Sequence, residues 1–416
     1  MSRKQGIGAV ALVAGLALAR AAGSLRGDDV ALAIGAGRGA PRITLDPPSA
    51  VLGIGLAVAL AGAVALAEPW TRRWAGLALI LATVLLVPLV LVGGLALSPA
   101  QQTNVVPLLA ESLSLGTPVA LGALSGLWCE RAGVVNLGIE GMMLAGAGIG
   151  FVAYALLGAS GGLPLVTGVV AAVAAGGLLG VLHAVLCVTF RVDQIVSGVA
   201  INLLAFGVTG FLRAQVLLPL GISSAGTLPE FRIPLLSDIP LVGRSLFAGK
   251  PIFFAMFGLF ALTQLVLLRT PWGLRVRSVG ENPHAAATLG VDVVRTRCQA
   301  VILGGLLAGL AGAWLSLESV GSFSPGMSNG RGFIALAALI FGKWRPWPAF
   351  GGAMLFGFTE ALGTRLQFLG VQVAGHPVPS QFLQILPFLV TIVVLAGAIG
   401  RAIPPAADGI PYQPSR

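Results

Sequence analysis

The chain has 416 residues, of which 56% are hydrophobic and 10% are charged, and its mean hydropathy is +0.94. Soluble domains carry about 25% charged residues, so this composition excludes a soluble protein and indicates many membrane-spanning segments. The formal net charge of +10 does not indicate a nucleic-acid-binding protein, because the basic residues are scattered near the ends of apolar segments. No nucleic-acid partner is therefore expected.

The apolar segments recur at lengths near the roughly 20 residues that a helix needs to cross the hydrocarbon layer, without the alternation of barrel strands. We therefore predict an all-α, polytopic bundle of about 10 to 12 transmembrane helices. The candidate spans are residues 6–19, 50–67, 74–97, 107–128, 137–157, 163–190, 194–212, 251–268, 298–318, 331–342, 348–366 and 384–400. The first is short enough to be an uncleaved, signal-like anchor. The segment 331–342 is too short to span alone, which favours a re-entrant or tilted helix.

The positions of Lys and Arg predict the orientation of the chain. With the N-terminus placed in the cytoplasm, 15 of the 25 Lys and Arg residues fall on the cytoplasmic side. An excess of Lys and Arg in cytoplasmic loops is usual in membrane proteins. We therefore expect a multi-pass protein in membrane lipid with both termini in the cytoplasm.

Sequence motifs for ATP binding and for metal-dependent hydrolysis are missing. The Gly-Lys pairs at 249–250 and 342–343 are followed by Pro and Trp, whereas a phosphate-binding loop needs Ser or Thr, and HExxH does not occur. The three cysteines and three histidines show no metal-ligand spacing. We therefore predict a protein that is not an enzyme, with no catalytic residues, no metal and no cofactor of its own. If ATP drives it, another chain binds the ATP.

The polar segment 269–298 is the most basic loop and carries five arginines. Its middle has the signature of a small helix, since Asn282 is a good N-cap residue, Pro283 suits the first helical position and Gly290 favours a left-handed end. So short a helix is unstable alone in water. Either it packs on the membrane domain as a connecting turn, or it docks in a groove of a cytoplasmic partner and passes that partner's motion to the spans.

The stretch "CERAGVVNLGIEGMMLAGAG", residues 129–148, interrupts the apolar pattern with charged residues and glycines, which weaken helix continuity. Asn136 can cap a helix that starts near Leu137, and Glu140 would then lie in its first turn. A broken helix exposes backbone amides, which a bilayer tolerates only against protein or a water-filled cavity. We predict that Asn136 and Glu140 border a substrate pathway. The alternative is a cytoplasmic turn whose acid complements the helix dipole.

Five stretches carry a family resemblance and occur in family order: "ERAGVVNLGIEGMML", "VGENPHAAATLGVDVVRTR", "GLLAGLAGAWLSL", "GRGFIALAALIFGKW" and "IPPAADGIPY". They resemble the permease subunits of nucleoside-type ABC importers, within the wider family of simple-sugar and branched-chain amino acid permeases. The nucleoside branch is favoured by "NLGIEGMM", where sugar permeases usually show a "DLSVG"-like stretch and branched-chain amino acid permeases a "NFAHG"-like one. The resemblance begins near residue 107. We therefore predict a permease core in 107–416 and an N-terminal extension with about three transmembrane helices in 1–106.

The resemblance implies an importer in a bacterial cell membrane that carries a purine or pyrimidine nucleoside into the cytoplasm. It also implies a second homologous permease subunit, a cytoplasmic ABC ATPase that holds ATP and Mg, and an extracytoplasmic substrate-binding lipoprotein docked on the loop 213–250. The family's cytoplasmic "GENPxAAxxxG" segment is matched here, which implies that the loop 269–298 couples to the ATPase. The matching residues are Gly280, Glu281, Asn282, Pro283, Ala286 and Gly290.

Three further residues are candidates for the substrate pathway, since polar groups inside spans should face the bundle or an aqueous route. Gln194 and Asn202 could hydrogen-bond a base or ribose, or could bond to a neighbouring helix. Phe323 could stack on a base or anchor the chain at the interface. Glu318 is at the end of a candidate span.

Other functions are compatible with parts of the pattern. One is a permease of the same family for simple sugars or another small polar solute. Another is a proton-coupled secondary transporter, which would use an intramembrane carboxylate and often shows inverted repeats. The repeat visible in the sequence is "GGLL", at Gly176 and again at Gly304. A membrane-embedded transferase would need an acidic pair at an aqueous face, and no such pair of quality is found.

Overall fold

A computed structural model describes residues 3–23, 25, 29–33, 41–67, 91–98, 102–158, 162–222, 224, 226–239, 243–373, 376–388 and 402–413, with single residues 74, 78, 81, 85 and 89. The chain divides into two compact units. One contains Met1–Ser112, Pro234–Leu246 and Phe358–Arg401, and the other contains Leu113–Ile233, Phe247–Gly357 and Ala402–Arg416. All the candidate site residues belong to the second unit. The division at residue 106 stays a prediction.

The described helices are numbered in chain order. They are α1 (Arg3–Ala22), α2 (Pro47–Leu66), α3 (Val105–Arg131), α4 (Ile139–Leu156), α5 (Gly162–Ala184), α6 (Gln194–Leu212), α7 (Gly243–Leu246), α8 (Pro251–Arg269), α9 (Pro271–Glu281), α10 (Pro283–Thr288), α11 (Val293–Ala313), α12 (Arg331–Phe341), α13 (Pro346–Phe368) and α14 (Ser380–Gln384). The described strands are β1 (Val30–Ala33), β2 (Arg42–Leu45), β3 (Gln102–Asn104), β4 (Phe231–Arg232), β5 (Ala248–Gly249), β6 (Gln372–Val373) and β7 (His376–Pro377).

Eight described helical segments are long and apolar enough to cross a membrane, by length and composition. They are Gln5–Ala22, Pro47–Leu66, Val105–Arg131, Ile139–Leu156, Gly162–Thr189, Gln194–Leu217, Pro251–Arg269 and Val293–Val320. The predicted all-α, multi-span fold is confirmed. Half of the predicted span 74–97 and most of the predicted span 384–400 lie outside the described residues. The helix α12 has 11 residues, about 16 Å, so it is too short to span, as predicted.

In the first unit, α1 and α2 pack antiparallel through small residues. A methyl group added at Gly8 would lie 2.8 Å from the carbonyl oxygen of Gly62, and one added at Gly55 would lie 3.0 Å from that of Gly15. The Asp46 carboxylate caps α2 by accepting from the Ser49 N–H at 3.0 Å. A small sheet follows the strand order β2-β1-β3, in which β1 pairs antiparallel with β2 and parallel with β3.

In the second unit, α4, α5 and α11 form a core in which the backbones touch. A methyl group at Gly305 would lie 2.5 Å from the carbonyl oxygen of Gly176 and 2.8 Å from Cα of Gly180. One at Gly146 would lie 2.6 Å from the carbonyl oxygen of Gly309. Small residues allow such close approach between membrane helices. The two "GGLL" stretches therefore pack against each other.

Three of the described helices end in π-helical turns, which hold an extra residue per turn. These turns are Val185–Thr189 after α5, Arg213–Leu217 after α6 and Trp314–Val320 after α11. The predicted loop 213–250 therefore starts later than expected, because the helix continues to Leu217. Part of this loop is a two-stranded antiparallel hairpin of β4 and β5.

Candidate functional site

The segment 132–138 separates α3 from α4 and is called the break. Helix α3 ends at Arg131, and Gly133 has a φ of +83°, which favours glycine. A methyl group at Gly133 would also lie 2.9 Å from the carbonyl oxygen of Ala407. The predicted interruption is thus present, and tight packing as well as backbone conformation requires glycine there.

Two asparagines stabilise the start of α4. Asn136, which is fully buried, accepts from the Gly138 N–H at 3.0 Å, and so closes a turn before the helix. The helix begins at Ile139, two residues later than predicted, and Asn136 is not its N-cap. The Oδ1 atom of Asn202, from α6, instead accepts from the Gly141 N–H in the first turn at 2.8 Å. The capping oxygen of α4 therefore comes from another helix.

Backbone groups of Val135 and Leu137, both in the break, bind side chains of α5 and α6. The Val135 N–H donates to Oε1 of Gln194 at 2.7 Å, and the Val135 carbonyl lies 3.0 Å from Nε2 of His183. The Asn202 amide donates to the Leu137 carbonyl at 3.0 Å. Asn202 thus bonds to a neighbouring helix through Gly141, and Gln194 bonds to the break; their role in a substrate pathway stays a prediction. These backbone groups of the break are bonded to protein, as a bilayer requires of non-helical backbone.

Glu140 joins the start of α4 to the start of α12. Its Oε1 accepts from the Gly330 N–H at 2.8 Å and its Oε2 from the Gly332 N–H at 2.6 Å. These N–H groups lie at the start of α12, where they have no acceptor within the helix itself. The helix dipole also favours a negative charge there. The acid therefore complements a helix dipole, but mainly that of a different helix from its own.

The other end of α12 is held by residues before the break. The turn after α12 contains two residues with left-handed backbones, Lys343 at φ +49° and Trp344 at φ +54°. The Trp344 indole N–H donates to Oε2 of Glu130 at 2.5 Å, and Nε of Arg131 donates to the Trp344 carbonyl at 2.8 Å. Such strained residues persist where surrounding contacts fix them. The two sides of the break thus clamp α12 at both ends.

Phe323 lies apart from these contacts. Its side chain is 6% exposed, and a methyl group at Gly148 would lie 3.2 Å from Cζ of its ring and 2.7 Å from Cγ2 of Thr209. The ring is therefore packed beside α4 and α6 and is not an exposed interfacial anchor.

The predicted short helix within residues 269–298 is present as α10. Asn282 is its N-cap and accepts from the Ala285 N–H at 3.0 Å, Pro283 is its first residue, and Gly290 follows it with φ +80°. Ala286, however, is 3% exposed and packs against Val279 and Val293. Its side chain faces this chain's own core and not the outside. The exposed residues of the α10 region include His284, Ala285, Thr288 and Leu289.

At the opposite end of α11, Glu318 repeats the arrangement of Glu140. Its carboxylate accepts from the Ile252 N–H at 2.7 Å and from the Phe253 N–H at 2.9 Å, so it caps the N-terminus of α8. Lys250 donates to the Glu318 carbonyl and, at 2.8 Å, to the Thr227 hydroxyl. Burial lowers the pKa of the Lys250 ammonium, while the charge of Glu318 acts in the opposite direction.

Comparison with known proteins assigns the family. Residues 108–395 match the family described as branched-chain amino acid transport system / permease component, a match that covers more than half of the chain. The chain belongs to this permease family. The family prediction from the five sequence stretches is confirmed.

Three relatives of the permease are similar over most of their length. The guanosine ABC transporter permease protein NupQ of Bacillus subtilis (strain 168) is 39% identical over 309 residues, which are 72% of this chain and 94% of NupQ. The nucleoside ABC transporter permease protein NupC of Lactococcus lactis subsp. cremoris is 40% identical over 315 residues, 74% of this chain and 97% of NupC. A putative glucose ABC transporter permease protein of Haloferax volcanii is 37% identical over 311 residues, 71% of this chain and 92% of the relative.

The structure brings together four of the five pathway candidates of the permease. Asn136, Glu140, Gln194 and Asn202 all bind around the break, whereas Phe323 packs farther along α4. Sequence reasoning missed His183 and Trp344, whose partners lie 48 and 214 residues away. The sequence signal that could have pointed to His183 is its position as a lone histidine within the apolar segment 163–190.

Proposed function

We propose that this chain is the membrane permease subunit of an ABC importer that carries nucleosides into the cytoplasm. The observation that carries the proposal is the similarity, over more than two thirds of the chain, to two permeases named for guanosine and nucleoside transport. Membership of an ABC permease family disfavours the proton-coupled transporter. A permease without its own ATP-binding loop needs an ATPase partner to use ATP.

The proposed assembly contains a second homologous permease subunit, a cytoplasmic ATPase that holds ATP and Mg, and an extracytoplasmic binding lipoprotein. The matched residues at 280–290 support coupling through α10. Since Ala286 and Pro283 are buried within the chain, the surface offered to the ATPase would be the outer face with His284, Ala285 and Leu289. Asn282 and Gly290 would contribute by fixing the ends of the helix.

The substrate pathway is proposed to run beside the break. Asn136, Glu140, Gln194 and Asn202 make bonds within the chain, so their proposed role is to fix the shape of the route. The Nε2 group of Gln194 is buried without a hydrogen-bond partner among the described residues. It is the group of this set that remains able to donate to a solute. Phe323 would border the same route as a packed ring beside α4 and α6.

A second candidate substrate class is a simple sugar, and the specific observation in its favour is the 37% identity to the putative glucose permease. Nucleosides present ribose hydroxyls and simple sugars present ring hydroxyls, so polar residues of the pathway could bind either class and do not distinguish them. Functional measurement separates them directly.

Uptake of labelled solutes should identify the substrate class. In cells that lack this gene but contain the partner subunits, expression of the chain should restore uptake of guanosine, adenosine, cytidine or uridine and leave glucose uptake at background. The control is the same chain with Gly305→Val, which is expected to abolish function. Restored glucose uptake without nucleoside uptake would replace the proposal with the sugar candidate.

A Leu289→Asp substitution should separate ATPase docking from folding. Leu289 is 85% exposed at the end of α10, so a charge there should not disturb the chain's own core, but it should weaken ATPase binding by about tenfold or more. Co-purification and titration of the ATPase measure this. The matched control is Leu235→Asp, because Leu235 is also 85% exposed but lies in the predicted external loop. Equal ATPase binding by both variants would contradict the docking face.

Thiol labelling should establish the proposed orientation. Cys129 and Cys187 are buried and Cys298 is half-buried, so the experiment uses a chain in which all three are replaced by alanine. An impermeant maleimide added to intact cells should label Ser224→Cys and should label Ala285→Cys only after permeabilisation, since both positions are exposed. Ala285 is chosen because Ala286 is buried. The inverse pattern would invert the topology.

A further inference from the structure

The stretch "IPPAADGIPY" belongs to the segment 402–413, called the tail, which forms an ordered turn in the second unit. The Asp408 N–H donates to the Pro405 carbonyl at 3.1 Å and the Ile410 N–H to the Ala407 carbonyl at 3.2 Å. Gly409 has a φ of +76°, a conformation that favours glycine. The family match ends before this segment, at residue 395, and none of the roles discussed above uses it.

The tail is bonded to the junction between α9 and α10. The Ala407 N–H donates to the carbonyl of Gly280 at 2.9 Å, so it satisfies one of the unpaired carbonyls at the end of α9. The Ala406 N–H donates to Oε2 of Glu281 at 3.2 Å. Residues 280 and 281 are the first two of the family's "GENP" motif. The tail is therefore bonded directly before α10, which begins at Pro283.

Aromatic and apolar contacts extend this attachment along α10. The ring of Tyr412 lies 5.2 Å from that of His284, centroid to centroid. Tyr412 also packs on the cluster of Val279, Ala286 and Val293 that buries the inner face of α10. A six-residue helix gains little stability from its own hydrogen bonds, so it depends on its packing against Val279 and Val293, and the contacts of Tyr412 add to that packing.

The same turn is bonded to the first turns of α11. Arg297 is 1% exposed, and its Nη1 donates to the Ile410 carbonyl at 2.9 Å. Burial raises the pKa of the Asp408 carboxyl to about 7, against the opposing effect of the Arg297 charge. Arg297 is thus buried and Asp408 half-buried where the tail meets α11, and the tail is held as an integral part of the unit.

The third contact of the tail is with the break. A methyl group at Gly133 would lie 2.9 Å from the Ala407 carbonyl, and one at Gly409 would lie 3.6 Å from Cγ2 of Val135. Ala407 therefore bonds to Gly280 through its N–H and touches Gly133 with its carbonyl. One residue of the tail contacts both the start of the α10 region and the break.

Gly280 also approaches the break directly, since a methyl group there would clash with the carbonyl oxygen of Arg131. We propose that the tail is a second mechanical link of the permease: it moves with α10 as one body and passes the displacement of α10 to the break between α3 and α4. Coupling between distant sites can be carried by chains of packed and hydrogen-bonded residues, and residues 406–412 supply such contacts from α10 to Val135. The inference rests on the proposed function, since it requires an ATPase that moves α10. Ala407 and Tyr412 are positioning residues in this link.

The test uses the reconstituted complex of the permease with its ATPase and binding protein, and measures nucleoside uptake, ATP hydrolysis and ATPase binding together. Removal of residues 402–416 should leave ATPase binding and basal hydrolysis intact, and should lower uptake per ATP hydrolysed by about fivefold or more. Tyr412→Ala should shift the same ratio in the same direction. The matched control is Ile410→Ala, because Ile410 has a side chain that is 56% exposed and keeps its backbone carbonyl.

A cross-link provides a second measurement that does not depend on removing the tail. In a cysteine-free background, Glu281→Cys and Ala406→Cys, at two positions that are bonded in the wild type and lie outside the proposed docking face, can be joined by a short bifunctional thiol reagent. If the tail and α10 move together, the joined protein should transport at the level of the same protein before joining. Loss of transport on joining would show that the tail must leave α10, and would overturn the proposal.

Other results are equally decisive. An unchanged ratio of uptake to hydrolysis after removal of the tail would overturn the link. A lower yield of folded protein, with normal uptake per ATP hydrolysed in the molecules that remain, would also overturn the link. That result would show that the tail contributes to stability alone. A wild-type chain that neither binds an ATPase nor transports a nucleoside would overturn the proposed function and this inference together.

Discussion

A Gly305→Val variant should accumulate in the membrane at a small fraction of the wild-type level and should transport nothing. The added Cβ would lie 2.5 Å from the carbonyl oxygen of Gly176 and 2.8 Å from Cα of Gly180. Both neighbours are backbone atoms and cannot move aside by changing a rotamer, so α5 and α11 must separate. Overpacking of this kind typically costs about 1–3 kcal/mol and occasionally more, and here it also opens the contact that unites α4, α5 and α11.

The midpoint of thermal unfolding in detergent and the yield of monodisperse protein measure this effect. Gly207→Val is the matched control, because Gly207 lies in the middle of α6 and a methyl group there has no described atom within 4 Å. Both substitutions introduce the same β-branched residue into a helix, so helix propensity cancels. A Gly305→Val protein as stable as the Gly207→Val protein would mean that α5 and α11 do not approach as closely as the structure has them.

A Glu140→Ala variant should lose transport while still inserting in the membrane. The substitution leaves the N–H groups of Gly330 and Gly332 without their acceptor. Gly332 is buried, and a buried unpaired donor costs about 1–3 kcal/mol. It also removes a negative charge from the N-terminus of α12. The expected result is a frayed start of α12, seen as faster amide hydrogen exchange over residues 330–335, together with loss of nucleoside uptake.

Two companion variants sharpen this result. Glu140→Gln keeps one acceptor oxygen, so its defect should lie between those of the wild type and of Glu140→Ala. Glu230→Ala removes a carboxylate whose side chain is 52% exposed beside Arg232, where a surface ion pair contributes little, so it should behave as wild type. Slow exchange at the start of α12 in the Glu140→Ala protein would show that the carboxylate does not hold this helix.

Local patterns were enough to predict α10, because the determinants of a short capped helix lie within a few residues of one another. Asn282, Pro283 and Gly290 take the positions that capping rules assign to them. The direction of Ala286 was not predictable in the same way. In a helix of six residues with three consecutive alanines, His284 and Thr288 are the polar residues on the exposed side, and the contact of Ala286 with Val279 and Val293 shows which alanine faces inward.

The partners of the break could not be predicted, because they are distant in sequence. Glu140 binds residues 190 and 192 positions away, and Glu130 binds Trp344 at a separation of 214. Composition showed that the charged residues of this segment needed partners, since unpaired charges are costly in an apolar environment. It did not show that the partners are the two ends of α12, which follows only once the helices are packed.

The π-helical turn Trp314–Val320 changes which direction each later side chain faces. An extra residue in a turn rotates everything beyond it by about 100° relative to a continuous α-helix. Trp314, Leu315, Ser316, Leu317 and Glu318 are all at most 3% exposed, a consecutive run that one face of an α-helix does not provide. In an alignment with relatives, a one-residue gap within 314–320 would therefore mark a real change of geometry. A relative lacking that residue would turn its counterpart of Glu318 away from the helix it caps here.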